Sequence, residues 1–208
     1  MSNTNFPNGF QCIGKAPGAG TYAGVIEHRR VAYNNTAAIY PGDPVINLAT
    51  GYIARGAVSN ATSLHAGVFV GCKYIDASGN TVRSNYWPGV TLSDSAYVVD
   101  AYIMPLNGGT PLLFVVQATD TNFTFADIGA TSDYDIGTGA VAGGRGRSGA
   151  TLNRSTLGTS GSDGTLPWII TGLYSSIAAA NENGIDDTSN YNRVIVRYNA
   201  FGNTGINA

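Results

Sequence analysis

Helical periodicity is nearly absent along this chain, and short runs rich in β-branched and aromatic residues recur instead. TYAGVIEHRRVAY (21–33) is rich in strand formers with mixed alternation. PVINLATGYIARG (44–56) predicts two short strands around Thr50 and Gly51. Residues 68–75 and 81–87 predict a hairpin whose turn covers 76–80. SAYVVDAYI and PLLFVVQAT predict two more strands, separated by the turn-like MPLNGGT, and LPWIITGLY and NRVIVRYNAF close the chain. In the last run Val194 and Val196 face one way, while Arg193, Ile195 and Arg197 face the other, which predicts an edge or half-exposed strand. The alanines of SSIAAANEN (175–183) allow one short helix, and TFADIG (124–129) allows a single turn with Thr124 at its N-cap.

Turns at intervals of about 8–12 residues predict an all-β sandwich or barrel of short antiparallel strands. Two segments read as less packed. The first is an extended N-terminal arm over 1–20. The second is a flexible loop over 137–163, where Gly, Ser and Thr crowd out large apolar residues. The remainder, 21–208, reads as a single β domain around that loop.

Composition sharpens this picture. Of 208 residues only 12% are charged, below the roughly 25% of ordinary soluble proteins, while Gly (28) and Tyr (12) are abundant. A surface hydrated by neutral polar groups suits a chain that lives against other proteins. A net charge of −2 gives little counterion-release free energy, so neither nucleic acid nor an anionic membrane is an expected partner. The two cysteines, Cys12 and Cys72, are too few and too distant for a disulfide framework or a zinc site, and free thiols are expected. MSNTNFPNGF carries no basic n-region and no apolar h-region, so no signal peptide is expected.

The candidate chemistry is thin. Gly144, Gly146 and Gly149 fall at G-x-G-x-x-G spacing, but no helical stripe follows and no acid lies at the required distance, so chance spacing explains them. Arg145, Arg147 and Arg154 instead form a local basic cluster, read as three cations offered to an acidic surface, with a plain solvated loop as the rival reading. His28 and His65 have no acid and nucleophile arranged beside them, and Glu27 and His28 lie on opposite faces of a strand. Asp133 and Asp135 form the one close acidic pair on a strand face, and most other aspartates occupy turns. The chain is therefore expected to have no catalytic residues, no cofactor and no metal. Tyr74, Tyr86, Trp87, Tyr97 and Tyr102 are read as core or rim aromatics, or as an outward platform for sugar or protein.

The stretches NGF, YPGDPVI, GVFVGCKYIDASGNTVRSNYWP, AYVVD, FVVQA, FADIGA, GRSGATLN, TLPWIITGL and RVIVRYN follow one another in an order that resembles a group of small virion proteins of tailed, marine podovirus-like phages. The resemblance covers most of the chain and lies in the order of the motifs. MPLNGGTPL departs from the compact D-D-P-x-x-x-F link expected between Asp100 and Phe114. The resemblance implies a capsid decoration, or cement, protein on the outer surface of the virion. Its partner would be the major capsid protein, and it would act as a symmetric homo-oligomer, a trimer first of all.

On that reading the arm pairs with a capsid strand edge, anchored by Phe6 and Phe10, and Arg145, Arg147 and Arg154 bond capsid carboxylates. Deleting 1–20 is then expected to abolish capsid binding and to leave the core folded. The rival expectation is an exposed adhesin or carbohydrate-binding module.

Overall fold

Residues 27–105 build one sheet, and the chain on either side of them builds another. The computed structural model describes residues 3–16, 24–57, 65–106, 111–158, 166–174 and 185–199. Their strands are β1 (Gln11–Lys15), β2 (Glu27–Val31), β3 (Pro44–Asn47), β4 (Ile53–Arg55), β5 (His65–Ile75), β6 (Thr81–Ser84) and β7 (Val99–Pro105). There follow β8 (Leu112–Gln117), β9 (Thr131–Asp135), β10 (Ala140–Ala142), β11 (Arg145–Arg147), β12 (Thr151–Gly158), β13 (Trp168–Leu173) and β14 (Arg193–Tyr198). The fold is all-β, as expected. The one helical element described is the 3₁₀ turn Phe125–Asp127, at the TFADIG turn. The helix expected over 175–183 lies outside the described residues.

The first sheet runs β1-β8-β14-β13-β9-β12 and the second β2-β7-β5-β3-β4, with β6 paired to the far half of β5. All strand pairings within them are antiparallel. The second sheet is nested between two neighbours of the first, because β1 pairs directly with β8 and Lys15 lies opposite Leu112. The first sheet curls, so that Leu152 on β12 bridges Ala118 just past β8. The hairpin β5–β6 is held at its turn by the Asp76 carboxylate, which accepts from the Ser78 and Asn80 amides at 2.9 and 2.8 Å.

Two apolar cores result. One collects Phe114 and Val116 of β8, Val194 and Val196 of β14, and Trp168 and Ile170 of β13. The other collects Phe69 and Cys72 of β5, Ala101 and Ile103 of β7, and Ile39 and Trp87 from the connecting loops. Strand β5 serves both, giving Val68 to the first core and Ala66, Phe69 and Cys72 to the second. Cys12 and Cys72 are both free, and burial, followed by the Asp100 charge, pushes the Cys72 thiol up to about 12.

Two expectations are corrected and a third is narrowed to one of its alternatives. The segment read as an arm is, over 3–16, laid on the molecule itself. Phe10 is 2% exposed and stacks on Trp168 with 4.2 Å between ring centroids, while β1 hydrogen-bonds to β8. The hydrophobic effect drives a large aromatic into the nearest core before it can serve as an external anchor. The loop read over 137–163 contains the hairpin β10–β11 and the eight-residue strand β12, and its end, from 159, lies outside the described residues. Strand β14 is half-exposed, but it is no edge, since β8 and β13 flank it on both sides. Alternation reports how many faces of a strand are buried and is silent on how many neighbours it has.

Candidate functional site

Over 139–149 the glycine-rich segment is folded by identifiable contacts. Gly143 and Gly144 are the two central residues of the β10–β11 hairpin, with φ of +58° and +75°, the signature of a type I′ turn. On either side of that turn, Gly139 and Gly146 lie against Tyr40, and Gly146 also against Tyr86. A Cβ at Gly139 would overlap the Tyr40 ring, and one at Gly146 would come within 2.5 Å of Tyr86 Cβ. Tyr40 and Tyr86 stack with an interplanar angle of 8°, so the hairpin packs on a two-ring wall. The Asn85 side chain pins it there, donating to the Gly146 carbonyl and accepting from the Gly146 amide, both at 3.0 Å. The glycines lead into β12, where a dinucleotide fingerprint has a helix.

The arginines of the basic cluster have separate fates. Arg154 chelates Asp127, with Nε–Oδ2 at 3.0 Å and Nη2–Oδ1 at 3.2 Å, and is therefore engaged inside the molecule. Arg145 and Arg147 are thus freer than Arg154 to meet an outside carboxylate, since breaking such a pair to make another gains little. Arg147 is half-buried and lies over the Phe6 ring at 3.6 Å, a cation–π contact. Arg145 is exposed and has no ion-pair partner among the described residues. It lines a groove with Tyr74, Arg83, Ser84, Asn85 and Tyr86. Phe6 is 59% exposed, so of the two aromatic candidates it alone reaches solvent.

The short motifs that carried the resemblance prove to be joints of the fold. Asp43, of PGDP, is fully buried. It accepts from Ser148 Oγ, from Arg55 Nε at 2.7 Å and from the Tyr40 amide at 2.9 Å. Burial pushes its pKa up against the opposing pull of Arg55 and these hydrogen bonds. Arg55 also donates to the carbonyls of Ile136 and Gly137, so one ion pair on the second sheet grips the chain leaving β9 on the first. His65 Nε2 and the Tyr134 hydroxyl, 3.0 Å apart, make another such link. Gln117, of FVVQ, ties down the N-terminal segment by accepting from the Phe6 amide and donating to the Thr4 carbonyl, at 3.0 and 2.9 Å. The turn role read for Asp43 is thus real, but its cross-sheet partner lies 105 residues away and no local pattern announces it.

The remaining candidates are also placed. Asp135 bonds Thr119 and Asn153, and Asp133 accepts from the Tyr134 amide. Among the described residues no three of His, Cys, Asp and Glu gather as a metal-binding group. The five aromatics do not form one outward row: Trp87 is fully buried, and Tyr74 and Tyr97 lean on the second core. His28 pairs with Asp100 across the β2–β7 ladder, a partner that sequence reasoning missed because it comes from another strand. Comparison with protein-family models, with curated proteins and with solved structures returned no match.

Proposed function

We propose that this chain is a non-enzymatic virion structural protein that decorates and stabilises an assembled phage capsid, binding between capsid subunits on the outer surface. The order of its motifs supports that reading. The observation that carries it is the open edge at β1. That strand ends the first sheet, nothing described pairs with its outer side, and Ile13 on it is 48% exposed. A bare edge with an exposed apolar side chain is what monomeric proteins avoid and what strand addition by a partner uses. Phe6, which lines a pocket together with Gln11 at the start of β1, and Arg147 stacked on it supply side-chain contacts near that strand. Many copies on a shell turn modest contacts into firm attachment.

The test adds purified protein to capsids assembled without it. Co-sedimentation and a raised rupture temperature of the shells are expected, and Ile13→Lys is expected to weaken binding about tenfold with the fold intact. Failure of the wild type to bind expanded and unexpanded shells alike overturns the proposal. Selective sugar binding on a glycan array, with shells ignored, replaces it with the adhesin reading.

A further inference from the structure

The outer face of the second sheet carries a charge row that the molecule itself leaves unbalanced. Arg30 on β2 lies opposite Asp100 on β7, Asp100 lies opposite Lys73 on β5, and Lys73 lies opposite Arg83 on β6. Four neighbouring strands thus place three cations and one anion in a single line. Arg30, Lys73 and Arg83 are all exposed. The single Asp100 carboxylate, both of whose oxygens also lie 3.1 Å from His28 Nδ1, leaves the three cations in excess. Among the described residues none of the three cations has an ion-pair partner. Lys73 and Arg83 are directly opposite on antiparallel strands, a like-charge arrangement that costs stability by itself. At the Arg83 end the line runs into the groove that Arg145 closes from the β10–β11 turn.

We propose that this row, Arg30–Lys73–Arg83 with Arg145 at its end, is a docking surface for an acidic polypeptide segment. Strands are spaced about 4.8 Å apart, so Arg30 to Arg83 spans roughly 14 Å, the reach of four or five residues of extended chain. Asp100 decides the class of partner. A uniform polyanion such as a nucleic acid or a sulfated glycan would bring its continuous charge onto that carboxylate. A polypeptide can alternate, setting carboxylates against the arginines and lysine and a neutral or basic group against Asp100. The surface is exposed, and the Debye length is about 8 Å at physiological salt, so the contact is salt-sensitive. The inference goes beyond the decoration reading, since it names a surface and a chemistry whichever protein carries the segment.

A fluorescent Glu/Gly peptide, its Gln/Gly counterpart, a single-stranded DNA oligonucleotide and a sulfated oligosaccharide are titrated against the full chain at low and moderate salt. The Glu/Gly peptide alone is expected to bind, with affinity falling as salt rises. Lys73→Glu with Arg83→Glu, and independently Arg30→Glu, are each expected to weaken it at least about tenfold while the fold, read by near-UV circular dichroism, is retained. Equal binding of the two peptides, no effect of the charge reversals, or tighter binding of the DNA or the glycan overturns the proposal. Charge-reversed protein that still binds capsids, with the peptide ignored by the wild type, sinks this surface and leaves decoration standing; peptide binding without capsid binding does the reverse.

Discussion

At Asp127 burial and hydrogen bonding oppose one another, and hydrogen bonding wins. Burial favours the neutral acid, but the bonds from Arg154 and Thr124 and the Arg154 charge hold its pKa below the ordinary carboxylate value. The folded pKa is the lower one, so the pair stabilises the fold above the unfolded value of about 3.9 and is lost as pH falls through the folded value. Asp43 has the opposite sign: its pKa is raised, so protonation at low pH favours its folded state relative to the unfolded one. Asp127→Asn is expected to cost about 1–2 kcal/mol at neutral pH and nearly nothing once Asp127 is protonated in both the folded and the unfolded chain. Urea unfolding of both proteins from about pH 7 down to about pH 3 reads the difference, and a gap that stays constant rejects the pair as its source.

At the scale of elements, glycines do two jobs in one hairpin. Those at the turn, Gly143 and Gly144, supply positive φ; those on the arms, Gly139 and Gly146, supply close approach to Tyr40 and Tyr86. Gly139→Ala and Gly146→Ala are each expected to cost about 1–3 kcal/mol by overpacking, measured by denaturant unfolding, whereas a free loop would register no more than a few tenths. Asparagine at the turn should be tolerated better than alanine on the arms, since it accepts the left-handed region. The same hairpin marks the limit of what could be read from sequence. Strands β5, β7, β8 and β13 announce themselves through apolar runs too dense for loops. Strand β12, TLNRSTLG, and β9, TSDYD, hide because their polar residues bond one another across the ladder: Ser132 Oγ donates to the Asn153 carbonyl and the Asp133 amide to Thr156 Oγ1. Of the contact residues, Arg145 keeps its exposed place, while Phe10 and Arg154 were drawn inward by partners far away in sequence, Trp168 and Asp127.

Across the whole molecule, each core holds one of the two tryptophans, Trp168 in the first and Trp87 in the second. Links between the two sides include Asp43 with Ser148, the Asp43-paired Arg55 with the Ile136 and Gly137 carbonyls, His65 with Tyr134, and the Phe10 amide on the Gly42 carbonyl. Single-tryptophan variants of the wild type are therefore expected to report one coincident unfolding transition. Asp43→Ala leaves Arg55 without its counter-ion and is expected to cost about 3–5 kcal/mol. With that link gone, the Trp87 and Trp168 curves should separate. Coincident curves in this variant would show that apolar contact at Val68 suffices to join the cores.

The nesting of one sheet inside the other has a further consequence. Ala16 donates its amide to the Pro111 carbonyl at 2.9 Å, so the two places where the chain leaves and re-enters the first sheet touch. A short splice from Ala16 to Pro111 would excise everything between them, and with it Val68 of the first core and the Gly42, Asp43 and His65 ends of the buried links. The same seam would accept a foreign module whose own ends lie close together, which makes this junction the natural port for grafting cargo onto the scaffold.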